Sequence, residues 1–142
     1  MNILILHGPN TNLIGSVSAR NGDQITLSKI DSKIKLAARK SNINIKTLQT
    51  HKVFSAINFI QRNRNWADGL LFNPTSWSKY EHSILECLII SDLPTIQLIF
   101  NEKYNISGDG SNSIFNDFCK QTISGDPLKV YLDGIDHIQK II

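Results

Sequence analysis

The chain has 142 residues, enough for one compact domain and too few for two ordinary ones, so we predict a single domain over residues 1–142. Hydrophobic residues make up 41% and charged residues 19%, which excludes disorder and collagen, and a formal charge of +3 spread along the chain does not indicate nucleic-acid binding. The apolar runs are far shorter than the ~18 residues of a membrane span, and the first residues resemble a buried strand more than a signal peptide, so a cytoplasmic protein without a membrane segment is predicted.

Short aliphatic and β-branched runs alternate along the chain with segments of helical period. We predict strands at residues 2–7, 43–49, 69–73, 95–100 and 128–133, and helical stripes at 27–38, 53–60, 84–89 and 135–142. Thr26 is the predicted N-cap of the first helix. This alternation is typical of a parallel sheet covered on both faces. We therefore predict an α/β fold with three αβα layers, in which a flavodoxin-like, doubly wound sheet of five parallel strands has the order 2-1-3-4-5.

Two connections are too long for simple turns, one at residues 8–25 and one at 101–127, the latter with a predicted short helix at 113–120. Both follow the carboxyl end of a strand, where ligands bind in open α/β sheets. We therefore predict a site built from residues 7–20, 73–82 and 97–103.

The first of these connections carries a specific motif. Residues 7–15 have the sequence HGPNTNLIG, which closely resembles the asparagine-glycine-proline-asparagine-x-asparagine-x-x-glycine run of type II 3-dehydroquinate dehydratases. The resemblance covers nearly the whole chain, with an apparent insertion at about residues 102–113. It continues through Gln49-Thr50, residues 68–74, Leu93-Pro94 and Asp117-Phe118.

The resemblance implies a trimer-based dodecamer that removes water from 3-dehydroquinate in an anti elimination through an enolate, with no cofactor. The cysteines and histidines lack the spacing of metal ligands, so no metal site is predicted. The implied chemistry uses a lid tyrosine as base, an arginine that keeps it ionised, an asparagine that orders a water on the enolate, a histidine acid, and a glutamate that orients the histidine. This is acid and base catalysis by positioned partners.

Part of the implied pocket is retained. Asn10 matches the enolate-side asparagine and Asn73 the asparagine that holds substrate hydroxyls, and Phe100 and Asn101 fall in the predicted substrate site. Three further binding positions carry other residues than the family has. Lys79 occupies the position of a family histidine, and Glu86 that of an aspartate contributed by a neighbouring subunit. Cys119 occupies the position of an arginine of the late loop.

The catalytic positions depart from the family. Val17 stands where the family has its arginine, Gly22 where it has the tyrosine, Gln97 where it has the glutamate and Ile99 where it has the histidine. Losing one positioned acid or base typically costs 100-fold or more in rate, and groups that act as a unit are lost together. The ordinary dehydration mechanism is therefore not expected to run.

Four residues are possible substitutes, and two of them also have a structural explanation. Arg20 is either a lid arginine or a solvated one, and His7 either faces the ligand or is a hydrogen-bonded structural histidine. Tyr80 and Tyr104 bring phenols from other loops. Trp77 either stacks on a ligand ring or packs against a neighbouring subunit.

Two classes of function remain. The first is a divergent type II 3-dehydroquinate dehydratase homologue that keeps the fold and part of the pocket, but has lost or altered the dehydration of 3-dehydroquinate to 3-dehydroshikimate. Within this class, an active lyase of the shikimate pathway using substitute residues, or a relative acting on a similar small polyol or carboxylate, remains open. The second class is a non-catalytic, small-acid-binding assembly protein.

Overall fold

The computed structural model describes residues 1–105 and 110–142, and at its centre lies a parallel sheet of five strands. The strand order is β2-β1-β3-β4-β5, so the predicted flavodoxin-like order is confirmed. In the register of the sheet, Ile3 of β1 lies beside Ile45 of β2 on one side and Gly69 of β3 on the other. The strands are β1 (Asn2–His7), β2 (Asn44–Gln49), β3 (Gly69–Asn73), β4 (Thr95–Phe100) and β5 (Gln121–Gly125).

The helices cover the two faces of the sheet in pairs, with α2 and α5 on one face and α3 and α4 on the other. The helix α2 begins as predicted, because the Thr26 side chain accepts a hydrogen bond from the Lys29 N–H. The helices are α1 (Ile14–Arg20), α2 (Leu27–Lys40), α3 (Val53–Asn63), α4 (His82–Ser91) and α5 (Pro127–Ile141), with 3-10 turns at Thr11–Leu13 and Thr75–Lys79.

Alternation along each strand decides which layer a side chain joins. On β1, Leu4 and Leu6 pack under α3 and α4, whereas Ile3 and Ile5 pack under α2 and α5. The next residue of that second set is His7, the last of the strand. It therefore points toward α2 and α5.

The predicted position of the fifth strand is wrong. Residues 128–133 lie inside α5, and the strand is Gln121–Gly125, at the edge of the sheet. Pro127 at the first turn and buried residues at helical spacing through Ile138 make one amphipathic helix of the whole C-terminal segment. The true strand has one buried apolar residue, Ile123, and therefore carries almost no apolar signal.

Two smaller differences concern the long connections. Residues 113–120 form turns in place of the predicted short helix, and residues 14–20 of the first connection form helix α1. Residues 106–109 of the apparent insertion, where the Gly108-Asp109-Gly110 sequence predicts a turn, lie outside the described residues. No helix in the described part of the chain is long and apolar enough to cross a bilayer.

Candidate active site

A cavity of about 80 Å³ opens at the carboxyl ends of the strands, where the sequence predicted the site. Its lining comes from the first loop, helix α1, the ends of β3 and β4, and the segment after β4. The residues that matter for its chemistry are Asn10, Val17, Asn73, Ile99, Phe100 and Tyr104. The structure thus brings the retained asparagines together with two of the substituted positions.

The first loop is held rigidly against the end of β3. Gly8 donates its N–H to the Asn73 carbonyl at 2.8 Å, and a Cβ at Gly8 would lie 2.6 Å from the carbonyl oxygens of Asn73 and Pro74. The Thr75 hydroxyl donates to the Pro9 carbonyl at 2.8 Å. Asn10, next in the loop, has a φ of 69°, a left-handed conformation that asparagine tolerates better than most residues. The first loop and the end of β3 lie so close together that position 8 has room for glycine alone.

Two alkyl side chains lie where the implied mechanism has charged groups. Val17 projects into the cavity from α1, and Ile99 does so from the end of β4. Gly110 lies beside Ile99, because a Cβ at Gly110 would be 3.0 Å from the Ile99 side chain. Neither side chain exchanges a proton or carries charge, so this part of the cavity is apolar.

Gly22 does not line the cavity. It follows the end of α1 with a φ of 77°, is exposed, and has no atom within 4 Å of the place where a Cβ would lie. The open space indicates that this position tolerates a larger side chain sterically, at the cost of backbone strain.

Gln97 is buried behind the cavity and has a structural role. Its amide nitrogen donates to the Asn116 Oδ1 at 2.8 Å and to the Thr122 hydroxyl at 3.0 Å, and its oxygen accepts from the Ser113 hydroxyl. Asn116 is itself oriented by the carbonyl of Gly110 at 3.1 Å. Every polar atom of the Gln97 side chain is thus paired, and the amide ties the late loop and β5 to β4.

We expect Gln97→Glu to lower the free energy of unfolding by about 2 kcal/mol at pH 8, because the new carboxylate is buried and faces the Asn116 oxygen. Its pKa would be raised, so the folded state would bind more protons than the unfolded state and stability would fall as pH rises. Urea unfolding at pH 8 and pH 5 measures this, with the exposed Gln61→Glu as control. An unchanged stability at both pH values would contradict the structural role.

His7 is a buried structural histidine and does not line the cavity. Its Nδ1 lies 2.7 Å from the Tyr131 hydroxyl, and its Nε2 lies 3.0 Å from the Asp31 carboxylate. The Tyr131 hydroxyl also accepts from Asn73 Nδ2 at 3.4 Å. Burial raises the pKa of Tyr131 well above its usual range, and Asp31 adds to the rise, while the Asn73 hydrogen bond opposes it.

Tyr104 brings a phenol into the cavity, but its environment opposes a role as base. Its hydroxyl donates to the Asp23 carboxylate, and this hydrogen bond together with burial raises the pKa of Tyr104. The same region is closed by Asn21, whose amide donates to the carbonyls of Val17 and Lys103. The chain after β4 is thereby tied to the end of α1.

The remaining predicted site residues lie outside the cavity lining. Arg20, Tyr80, Lys79 and Glu86 are exposed on the surface. Asn101 donates its side-chain N–H to Asp126 and its backbone N–H to the Gly125 carbonyl, which fixes the turn after β4.

Trp77 fits neither predicted alternative. It is 2% exposed and packs in the interior of its own chain, near Phe72 with ring centroids 6.4 Å apart.

Cys119, at the position where the family resemblance implies a late-loop arginine, has a thiol whose pKa is raised to about 12 by burial. The thiol is therefore uncharged at neutral pH and does not replace the arginine. Among residues 1–105 and 110–142, no group of three His, Cys, Asp or Glu side chains is placed to hold a metal ion.

Sequence reasoning missed Asp31, Asp23 and Tyr131 as parts of the site. Tyr131 was assigned to a strand, which separated it from β1 and β3. A buried tyrosine on the face of α5 that covers the end of β1 is visible only once the helix is recognised.

Comparison with known proteins gives a consistent family. The family model described as Dehydroquinase class II matches residues 1–139. The 3-dehydroquinate dehydratase of Dictyoglomus turgidum is 26% identical over 96% of this chain and 94% of its own length, and that of Caldanaerobacter subterraneus is 28% identical over 87% and 83%. The type II dehydroquinase of Butyrivibrio crossotus superposes with a TM-score of 0.85 at 24% identity, over 98% of this chain and 97% of that one, a likeness of fold.

Proposed function

We propose that this chain, which belongs to the class II dehydroquinase family, binds a small polar carboxylate or polyol in the cavity but has lost or altered the dehydration of 3-dehydroquinate. Family membership supports the class of ligand. The residues that line the cavity support the loss or alteration of the reaction. The relatives named 3-dehydroquinate dehydratase supply the first compound to test.

The observation that carries the proposal is the pair of alkyl groups in the cavity. Val17 and Ile99 both line it, at the positions where the family resemblance implies a base activator and a general acid. Removing a proton beside a ketone requires a base with an adjusted pKa, and expelling hydroxide requires an acid. An isopropyl and a sec-butyl group do neither.

The cavity retains the asparagines at the positions that the family resemblance assigns to the enolate-side water and to substrate hydroxyls, which supports binding of a ligand. Asn10 and Asn73 both line the cavity, and Gly8 keeps the first loop against β3. These groups form hydrogen bonds without taking part in proton transfer. They favour a polar ligand whose hydroxyl groups meet two carboxamides.

An active dehydratase with substitute groups is the alternative, and Tyr104 is the one substitute candidate that lines the cavity. Its hydrogen bond to Asp23 and its raised pKa keep the phenol protonated, which is the wrong direction for a base. His7 lies behind the cavity, paired on both ring nitrogens. The altered or lost reaction is therefore the better supported function.

The decisive experiment combines a turnover assay with a binding assay. Wild-type protein with 3-dehydroquinate is expected to show no enone absorbance above background, while calorimetry or thermal shift detects binding of 3-dehydroquinate or another small hydroxylated carboxylate. Turnover at about 1 per second or faster would overturn the proposal. Loss of such a rate in Tyr104→Phe, His7→Ala, Arg20→Ala or Tyr80→Phe would then identify the substitute.

We also infer that the protein assembles into trimers and, through them, a dodecamer, as the family resemblance implies. Large apolar side chains stand exposed on the α3 and α4 face, with Phe54 at 75% and Ile90 at 77% exposure. Glu86, at the implied intersubunit position, lies on the same helix as Ile90. Isolated exposed residues are ordinary, but Ile89 and Ile90 are adjacent near the end of α4 and are 55% and 77% exposed, which is typical of an interface.

Light scattering at micromolar concentration is expected to give a mass of a trimer or a multiple of it. Ile90→Glu is expected to lower that mass, because a charge would be buried between subunits. Leu36→Glu, at a 46% exposed position on α2, is the control and is expected to leave the mass unchanged. A monomeric wild-type protein would contradict the assembly.

A further inference from the structure

Four side chains from four elements form a continuous hydrogen-bonded chain from the protein surface to the cavity. Asp31 of α2 contacts His7 of β1 at 3.0 Å, His7 contacts Tyr131 of α5 at 2.7 Å, and Tyr131 contacts Asn73 of β3 at 3.4 Å. The Asp31 side chain is 32% exposed, whereas His7, Tyr131 and Asn73 are at most 2% exposed. Asn73 is the member that lines the cavity.

The hydrogen bonds of this series run in one direction, which the carboxylate of Asp31 determines. A carboxylate is an acceptor only, so Asp31 requires that His7 Nε2 carry a hydrogen. In the neutral ring, Nδ1 is then an acceptor and takes the hydrogen of the Tyr131 hydroxyl. The hydroxyl oxygen is left to accept from Asn73 Nδ2, which is the amide atom that faces it. Each donor in the chain meets one acceptor.

The consequence appears at the cavity. The hydrogen bond to Tyr131 uses one of the two Nδ2 hydrogens and fixes the rotation of the amide, so that Oδ1 lies on the side away from Tyr131. Among the described residues no hydrogen bond to Asn73 Oδ1 is found, and Asn73 lines the cavity. The cavity therefore presents an acceptor at this point, which pairs with a hydroxyl hydrogen and opposes a carbonyl or carboxylate oxygen.

We propose that Asp31, His7 and Tyr131 are positioning residues that select which atom of the Asn73 amide faces the ligand, and so make this part of the cavity selective for a hydroxyl group. None of the three touches the ligand. His7 is itself a departure, since the family pattern has asparagine at this place. The proposal rests on the proposed function for its ligand, but the order of the hydrogens can be tested in the free protein.

The first test is ¹⁵N NMR of the His7 ring in a background where His51, His82 and His137, the other three histidines, are replaced by glutamine. The expected result at neutral pH is a hydrogen on Nε2 and none on Nδ1. A hydrogen on Nδ1 would reverse the Tyr131 hydroxyl and overturn the proposal. In Asp31→Asn, a side chain that offers either a donor or an acceptor, a fraction of molecules with hydrogen on Nδ1 is expected.

The second test measures hydroxyl selectivity with two ring carboxylates that differ in their hydroxyl groups, quinate and cyclohexanecarboxylate. Calorimetry on wild-type protein gives the ratio of their dissociation constants, which is expected to favour quinate. In Tyr131→Phe the Asn73 amide loses its fixed partner, and the ratio is expected to fall about tenfold. Thr95→Val, which removes a buried hydroxyl at the opposite end of β4, is the control and should keep the wild-type ratio.

The outcomes separate this inference from the proposed function. A purely structural effect of Tyr131→Phe would weaken both probes by the same factor, and an unchanged ratio in that variant would overturn the selectivity. If neither probe nor 3-dehydroquinate binds wild-type protein, the proposed ligand class fails. The NMR result then still supports or overturns the hydrogen order by itself.

Discussion

Combining Val17→Arg, Gly22→Tyr, Gln97→Glu and Ile99→His is expected to raise 3-dehydroquinate turnover at least about 100-fold over the wild-type level. The four changes supply the base, activator, acid and orienting carboxylate that the family resemblance implies, around a cavity that contains Asn10 and Asn73. Positions 17 and 99 line this cavity, whereas a tyrosine at position 22 has to reach it from outside the lining. Each single change is expected to do little, because a base without its activator or an acid without its base completes no step.

Two of the four changes are expected to lower the stability of the fold. Gln97→Glu buries a carboxylate against Asn116, and Gly22→Tyr places a side chain at a φ of 77°, which costs about 1–2 kcal/mol. A triple variant that keeps Gln97 is therefore measured beside the quadruple one, with urea unfolding of both. If both are folded and bind 3-dehydroquinate, yet neither exceeds wild type, the cavity lacks more than these four groups and the account of the lost activity is wrong.

Gly8→Ala is expected to lower the free energy of unfolding by about 3 kcal/mol. The added methyl group would lie 2.6 Å from two backbone carbonyl oxygens, those of Asn73 and Pro74, and backbone cannot rotate away as a side chain does. The hydrogen bond from Gly8 to Asn73 would break with the same displacement. Loss of ligand binding is expected together with the loss of stability.

Gly125→Ala is the control for this substitution. A Cβ there would meet Val130 at 3.5 Å, an ordinary contact, so a change within about 0.5 kcal/mol is expected. Urea unfolding of both variants gives the comparison. Equal stabilities would show that the first loop moves freely against β3 and would remove the reason for its glycine.

Most of the fold follows from the sequence because the inner strands are strongly apolar. All residues of β3 and β4 are buried, and such continuous runs between helical periods specify a parallel sheet. The edge strand β5 has one buried apolar residue, Ile123, whereas the adjacent α5 is rich in aliphatic residues. Local apolar content therefore pointed to the helix, and the strand was missed.

The site was predictable in location but only partly in content. Asn10, Asn73 and Ile99 were placed by motif and strand end, and the structure brings them to one cavity. The partners of His7 and Tyr104 lie in other elements, at Asp31 and Asp23, and nothing local in the sequence links them. Whether a tyrosine is held protonated depends on such distant contacts, so its role required coordinates.

The strand order also dictates when the chain can fold during synthesis. Of the five strands of this sheet, β1 is made before the two strands that flank it, and Ile3 pairs only after Ile45 of β2 and Gly69 of β3 have been made. At about 5–20 residues per second, a ribosome needs several seconds to deliver both partners. During that time an apolar β segment with both edges unpaired is exposed, which is the composition that seeds aggregation. We therefore expect β1 to be the segment most exposed to pairing with other nascent chains until β2 and β3 have been made.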